Sequence, residues 1–284
     1  MLPALIISVF FRLLVPGDYQ FVKSVEAPGN QHYSDPMGNV YIVRDNTLKK
    51  FSAGHVQAAY YTNSFLGNIQ SVDVSDPLRI LLFYKYYNQV VWVDNFLSEI
   101  RSPVWLDELG IDQVELVCSS NQGGFWVFNS LNNQLQYFDV NLKMVHESPT
   151  LNILTGPDIT PTFMLEKSRS LYLNVPGTGI LVFDRFGNYS KTLPVDVPSV
   201  FQVTDRNLYF LKDGKLFSYD LTTAEMARLE LPGEDKTDPV EIAGSGKSDP
   251  VTFFPENELL KAELQPGLLF LYTRHGYHVF RTGP

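Results

Sequence analysis

At 284 residues, with 44% apolar and 19% charged side chains, the chain has the composition of an ordered globular protein, long enough for one large domain or two small ones. A formal charge of -9, with no short stretch that clusters lysine and arginine, disfavours phosphate backbones and anionic membrane surfaces, so no nucleic-acid partner is expected. The single cysteine, Cys118, excludes an internal disulfide and a cysteine-based metal centre and is expected as a small buried apolar side chain.

The chain opens with "LPALIISVFFRLLVP" (residues 2–16), apolar apart from Ser8 and Arg12. About fifteen residues is short for a membrane span and suits the core of an export signal. Neither a preceding Lys or Arg nor a small-x-small cleavage site before Asp18 supports this, so a buried strand or helix of the mature domain stays open as the alternative. Export is the reading adopted, with residues 1–17 as the signal or apolar segment and 18–284 as the domain, in a periplasmic or otherwise extracytoplasmic setting. No lipobox cysteine is present, so no lipid anchor is expected.

From Tyr19 onward the chain repeats itself. "NQVVWVDNFLSEI", "NQLQYFDVNLKMV", "TGILVFDRFGNYS" and "GKLFSYDLTTAEM" each carry an apolar run that closes on an aspartate: Asp94, Asp139, Asp184 and Asp220. Two weaker copies, "NTLKKFSA" and "HGYHVFRTG", lack the aspartate. The residues in the place before it are Phe51, Val93, Phe138, Phe183, Tyr219 and Phe280, at intervals of 42, 45, 45, 36 and 61 residues. A period of roughly 40 to 50 residues is that of a four-stranded β-propeller blade, so six blades are predicted.

Each unit has the internal order of a blade. A second apolar strand precedes the anchor strand ("NVYIVRD", "RILLFYKYY", "GGFWVFNS", "RSLYLNV", "RNLYFLKDG", "GLLFLYTRHG"), with Gly or Asn in most of the turns between them. Upstream lie more polar segments such as "IQSVDVSDP" and "TPTFMLEKS", suited to an innermost strand. Downstream lie Pro-bearing, charged segments such as "LSEIRSPVWL" and "EMARLELPG", suited to an outer edge. The repeated aspartates are expected to accept backbone N–H bonds in the turn that follows, as Asx-turns do, rather than to act as acids or bases. The last unit ends at "YHVFRTGP" without a fourth strand. "YQFVKSVEAPG" (residues 19–29) has the alternation of an outer strand and is predicted to pair with the strand around His278 and Phe280, closing the ring.

In period and strand order the chain resembles the six-bladed β-propellers of the NHL, YWTD and TolB-like kind, over roughly residues 19–284. The YWTD tetrapeptide and a clear NHL consensus are absent, which leaves the subfamily open. The resemblance implies an extracytoplasmic scaffold or ligand-binding domain or, in a minority, a metal-dependent hydrolase of the gluconolactonase type. The latter hold a divalent cation such as Ca²⁺ through oxygen ligands from different inner strands. The positions that would serve here are Asp35, Asp73, Glu115, Asp158, Glu166 and Asp205, none in a recognisable local motif. His32, His55, His146, His275 and His278 show no zinc-ligand pattern, since His275 and His278 flank a hairpin turn and point to opposite strands. "GSGKSDP" lacks the first glycine of a phosphate loop, because Glu241 stands in its place.

The longest interval owes its excess to residues 233–257, an insertion carrying "VTFFP". It reads equally as an interaction element exposing Phe253 and Phe254 or as an inner strand preceded by a long loop. Tyrosines also gather near turns in "YYTNSF" and "YKYYN", which nominates Tyr60, Tyr61, Tyr86 and Tyr87 for recognition. The sequence therefore predicts a non-catalytic scaffold without a cofactor, with protein or a polymeric ligand on one propeller face. It is expected as a monomer within a complex, with any membrane association running through a protein partner. The hydrolase is the alternative.

Overall fold

The computed structural model describes residues 19–156, 159–232 and 259–283. They form six four-stranded antiparallel sheets. Innermost strand first, the blades are β2–β5 (Gln31–Ser34, Val40–Arg44, Thr47–Phe51, Gln57–Thr62), β6–β9 (Ser71–Asp73, Ile80–Tyr84, Gln89–Val93, Val104–Trp105) and β10–β13 (Val114–Ser119, Phe125–Asn129, Gln134–Phe138, Met144–Glu147). Next come β14–β17 (Phe163–Lys167, Ser170–Val175, Gly179–Asp184, Tyr189–Leu193) and β18–β21 (Phe201–Val203, Asn207–Lys212, Lys215–Asp220, Met226–Leu229). The sixth blade takes β22, β23 and β24 (Leu259–Gln265, Leu268–Thr273, Gly276–Arg281) from the end of the chain and its outer strand, β1 (Gln20–Glu26), from the beginning. The molecule is a six-bladed β-propeller.

In the second, third and fourth blades the second and third strands are buried on both faces at almost every position, because each sheet is covered by a neighbouring blade on either side. β7 (ILLFY) and β8 (QVVWV) are buried at every position, as is β11 (FWVFN). Six apolar clusters result, one between each adjacent pair of blades. Leu81, Phe83 and Trp92 of the second blade, for example, pack on Phe125, Val127 and Phe138 of the third. Each such side chain contributes about 1.5–3 kcal/mol by leaving water, so the core is a ring of inter-blade seams rather than a central mass. The innermost strand of the sixth blade, β22, begins at Leu259, just past the Phe253 and Phe254 stretch. Residues 233–258 lie outside the described residues, as do residues 1–18 and Asp158.

The repeated aspartates build one turn. Asp94, Asp139 and Asp184 each accept the amides two and four residues on, at 2.8–2.9 Å through Oδ1. The residue three places on adopts a left-handed backbone: Leu97 (φ 61°), Leu142 (φ 64°) and Gly187 (φ 83°). This is a type I turn closed by a bulge, which carries the third strand into the fourth. Asp220 closes a turn one residue longer, accepting the Thr222 and Thr223 amides. The Thr223 amide, then the Arg206 guanidinium and the Thr222 amide, hold its carboxyl down at about 2. In the first blade Ser52 stands in the aspartate's place, with the same pair of backbone bonds to His55 and Val56.

Closure follows the predicted pairing, with Phe21 opposite Phe280 and Ser24 opposite His278. Gly276 lies opposite Glu26, and a Cβ there would stand 2.0 Å from the Val25 carbonyl, so only glycine lets β1 come this close. Beyond the strand, the Ala27 amide bonds the His275 carbonyl at 2.9 Å. Deleting residues 19–29 should expose the whole outer edge of β24 and convert a monomer into aggregates in size-exclusion chromatography with light scattering. A monomeric truncation of unchanged melting temperature would contradict this closure.

Candidate functional site

Antiparallel order puts two kinds of connection at each end of the ring. Turns between second and third strands, together with the blade-to-blade connections, make one face, here called the A face. Turns between first and second and between third and fourth strands make the other.

Of the acids that the hydrolase alternative would use as cation ligands, the five among the described residues are each bonded to other groups. Asp35 is fully buried in another copy of the bulged turn. It accepts the Met37 and Asn39 amides at 2.9 Å, the Asn39 side chain at 2.7 Å and the Tyr41 hydroxyl at 2.9 Å. Burial, and then the charge of Asp35, push the Tyr41 phenol upward. Asp73 accepts the Ser119 amide of the next blade at 2.8 Å. Glu166 accepts the Asn121 amide at 3.1 Å and the Trp126 indole at 2.9 Å, and Asp205 accepts the Ser168 hydroxyl at 3.0 Å. Glu115 sits on the A-face end of β10, paired with Lys85. Among the described residues, no three His, Cys, Asp or Glu side chains form a group that could hold a metal ion.

These bonds belong to a circuit that runs round the inner strands. Gln31 donates to the Ile69 and Gln70 carbonyls, tying the first blade to the second. Asp73, Glu166 and Asp205 tie the second to the third, the third to the fourth and the fourth to the fifth. Gln202 exchanges two bonds with the Leu264 backbone, at 2.7 and 2.9 Å, between the fifth and sixth. Glu263 accepts the Ser34 hydroxyl at 2.6 Å, and Lys261 reaches the His32 carbonyl at 2.8 Å, which joins the sixth to the first. Cys118 is buried near Asp73 and Glu166, and burial first, then those two charges, raises its thiol well above the usual value. His32 is 4% exposed and stacked on Tyr272, with a buried Nε2 that has no hydrogen-bond partner.

The tyrosines divide. Tyr61 is 8% exposed and packs in the seam between the first two blades, its hydroxyl donating to Glu99 at 2.7 Å; burial, then that bond, pushes its phenol up to about 12. It is a core residue, not a recognition residue, because the alternation of β5 points it inward and turns Tyr60 out to solvent. Tyr60 is exposed on the outer rim of the first blade. Tyr86 and Tyr87 lie on the A face, in the connection between β7 and β8, where residues 85–87 form a single tight helical turn. Asn88 ends that turn in the left-handed conformation (φ 50°, ψ 47°), which asparagine tolerates, and the two rings stand edge to face at 5.0 Å.

Around them lies a groove of about 470 Å³ between the second and third blades. Its walls are Lys85–Asn88, Trp105 at the end of β9, Asp107, and Asp112–Glu115 leading into β10. Tyr86 is 86% and Trp105 45% exposed. Phe65, also exposed, stands on the adjoining connection, where Gly67 meets the Tyr87 ring. Sequence reading missed Trp105 because its segment had every mark of an outer edge strand; only the brevity of β9, two residues after Pro103, hints that the chain is about to leave the sheet.

No family model and no curated protein sequence matches the chain. Among solved structures the fold is similar to virginiamycin B lyase from Staphylococcus aureus, at 12% identity over 94% of this chain and 100% of that one, with a TM-score of 0.58. It is also similar to the Pan2 WD40 domain of Neurospora crassa, at 10% identity over 95% and 96% with a TM-score of 0.57. BamB from Moraxella catarrhalis aligns at 13% identity over 93% and 99%, with a TM-score of 0.51. At such identities the likeness establishes the propeller fold. One of these neighbours is a lyase by name, and the fold by itself assigns no function.

The buried His32 carries a pH dependence. Burial, and then the nearby Lys261 charge, lower its pKa to about 4. The unfolded chain therefore takes up this proton first, and the stability held above about pH 6.5 drains away as pH falls towards 4. His32→Gln should remove about 2–3 kcal/mol of the stability lost between pH 7 and pH 4.5 in urea unfolding. An acid slope identical to that of the unsubstituted protein would refute the assignment.

Proposed function

We propose that the protein is a non-catalytic, extracytoplasmic propeller that docks a partner protein on its A face. The observation that carries this reading is the concentration of exposed aromatic side chains, Tyr86, Tyr87 and Trp105, in the walls of one groove. Aromatic side chains that bury area while keeping a polar handle are what recognition surfaces are enriched in. The hydrogen bonds that Asp35, Asp73, Glu166 and Asp205 accept within turns or between blades favour the scaffold reading over the hydrolase alternative. The strand order shared with NHL, YWTD and TolB-like propellers agrees with a scaffold role, and the apolar residues 2–16 support export.

Affinity purification from the native host tests the docking role. Tyr86→Ala, Tyr87→Ala and Trp105→Ala combined should lose the partner retained by the unsubstituted protein while shifting stability by less than about 1 kcal/mol, as exposed substitutions do. A partner kept by the triple variant would place docking elsewhere.

A further inference from the structure

Four charged groups line the groove, and they do not balance. Lys85 is paired with Glu115, which leaves Asp107 and Asp112 facing solvent without a second basic residue in the walls. Asp107 accepts the side-chain amide of Asn88, whose second amide bond goes to the Ile111 carbonyl at 2.6 Å. The amide oxygen of Asn88 is buried and has no hydrogen-bond partner, although the residue is itself part of the wall. The groove thus combines aromatic faces with an excess of carboxylates. Its opposite number in chemistry is a planar cation with several N–H donors. A guanidinium meets each requirement, since it stacks on aromatic rings, forks onto carboxylates and stays charged at every working pH. An ammonium meets fewer, being a compact point charge.

Resting on the docking role proposed above, we propose that the groove between the second and third blades receives an arginine side chain of a basic partner segment, stacked against Tyr86 or Trp105 and bonded to Asp107 and Asp112. The net charge of -9 steers a basic segment towards the molecule at low salt.

Trp105 provides the readout. The chain has three tryptophans; Trp92 and Trp126 are buried in the seams, so Trp105 is the exposed indole. Its indole N–H resonance, identified by its loss in Trp105→Phe, is followed while the full chain is titrated with Nα-acetyl-arginine-N-methylamide. The lysine and glutamine analogues and a neutral oligosaccharide, cellohexaose, are titrated in parallel. The arginine probe should give a saturable shift at least about fivefold tighter than the glutamine analogue. That shift should weaken at least about threefold on raising salt from about 50 to about 300 mM, and again in Asp107→Asn, Asp112→Asn.

Binding of the oligosaccharide in place of arginine, equal affinity for the glutamine analogue, or no saturable shift with arginine would each overturn the proposal. The last result alongside partner loss in the aromatic triple variant would leave the docking role standing and remove only its cationic chemistry. Arginine binding without any partner loss in that variant would do the reverse.

Discussion

Six sheets arranged around an axis leave their innermost strands crowded together, with backbone and side-chain polar groups that water reaches poorly. Side chains of the inner strands, and Asp205 in the exposed turn after β18, reach sideways: Gln31, Asp73, Glu166, Asp205, Gln202 and Glu263 each bond to a group on the neighbouring blade, and together they run the full circle. A buried acceptor left without its donor costs about 1–3 kcal/mol, so buried ties such as that from Glu166 to the Trp126 indole fix the distance at which the flanking apolar seam can pack. The hydrophobic surface holds the blades together, and the polar circuit sets their register. The β1·β24 pairing matters for the same reason. Without it the sixth blade would have no outer strand, and its seam with the first blade would lose the cover that β1 adds to the ties from Glu263 to Ser34 and from Lys261 to His32.

This circuit also shows what else an inner-strand acid can do besides hold a cation. From the sequence, an acid on an inner strand is equally suited to a cation and to a neighbour's amide, because both want a charged oxygen at the channel. Only the positions of Ser119, Asn121 and Trp126 decide between them. The other half of the circuit was not legible at all: Gln31, Gln202 and Lys261 lie in segments whose chemistry suggested nothing, and their role arises from which blade stands beside them.

The architecture itself was legible because the repeat imposes it at several levels. Period, apolar strand pairs and the aspartate turn all agree, and β1 was recognisable from its alternation together with the missing last strand. Where the turn departs from its usual chemistry, packing compensates. Leu97 and Leu142 hold the left-handed position that Gly187 and Gly38 occupy elsewhere, and each is packed into an apolar seam. Tyr61 shows the complementary limit, since a one-residue difference in register separates it from the exposed Tyr60 and turn proximity alone could not tell them apart.

With Asp35, Asp73, Glu166 and Asp205 bonded within the ring, the functional account rests on the A-face groove rather than on the inner strands. Calorimetric titration of the full chain with Ca²⁺ tests it most directly, because a free oxygen cage would bind the ion whereas hydrogen-bonded ties would not. The account predicts no stoichiometric heat and no rise in melting temperature with Ca²⁺. Binding of one equivalent that is abolished by Glu166→Gln or Asp73→Asn would contradict it.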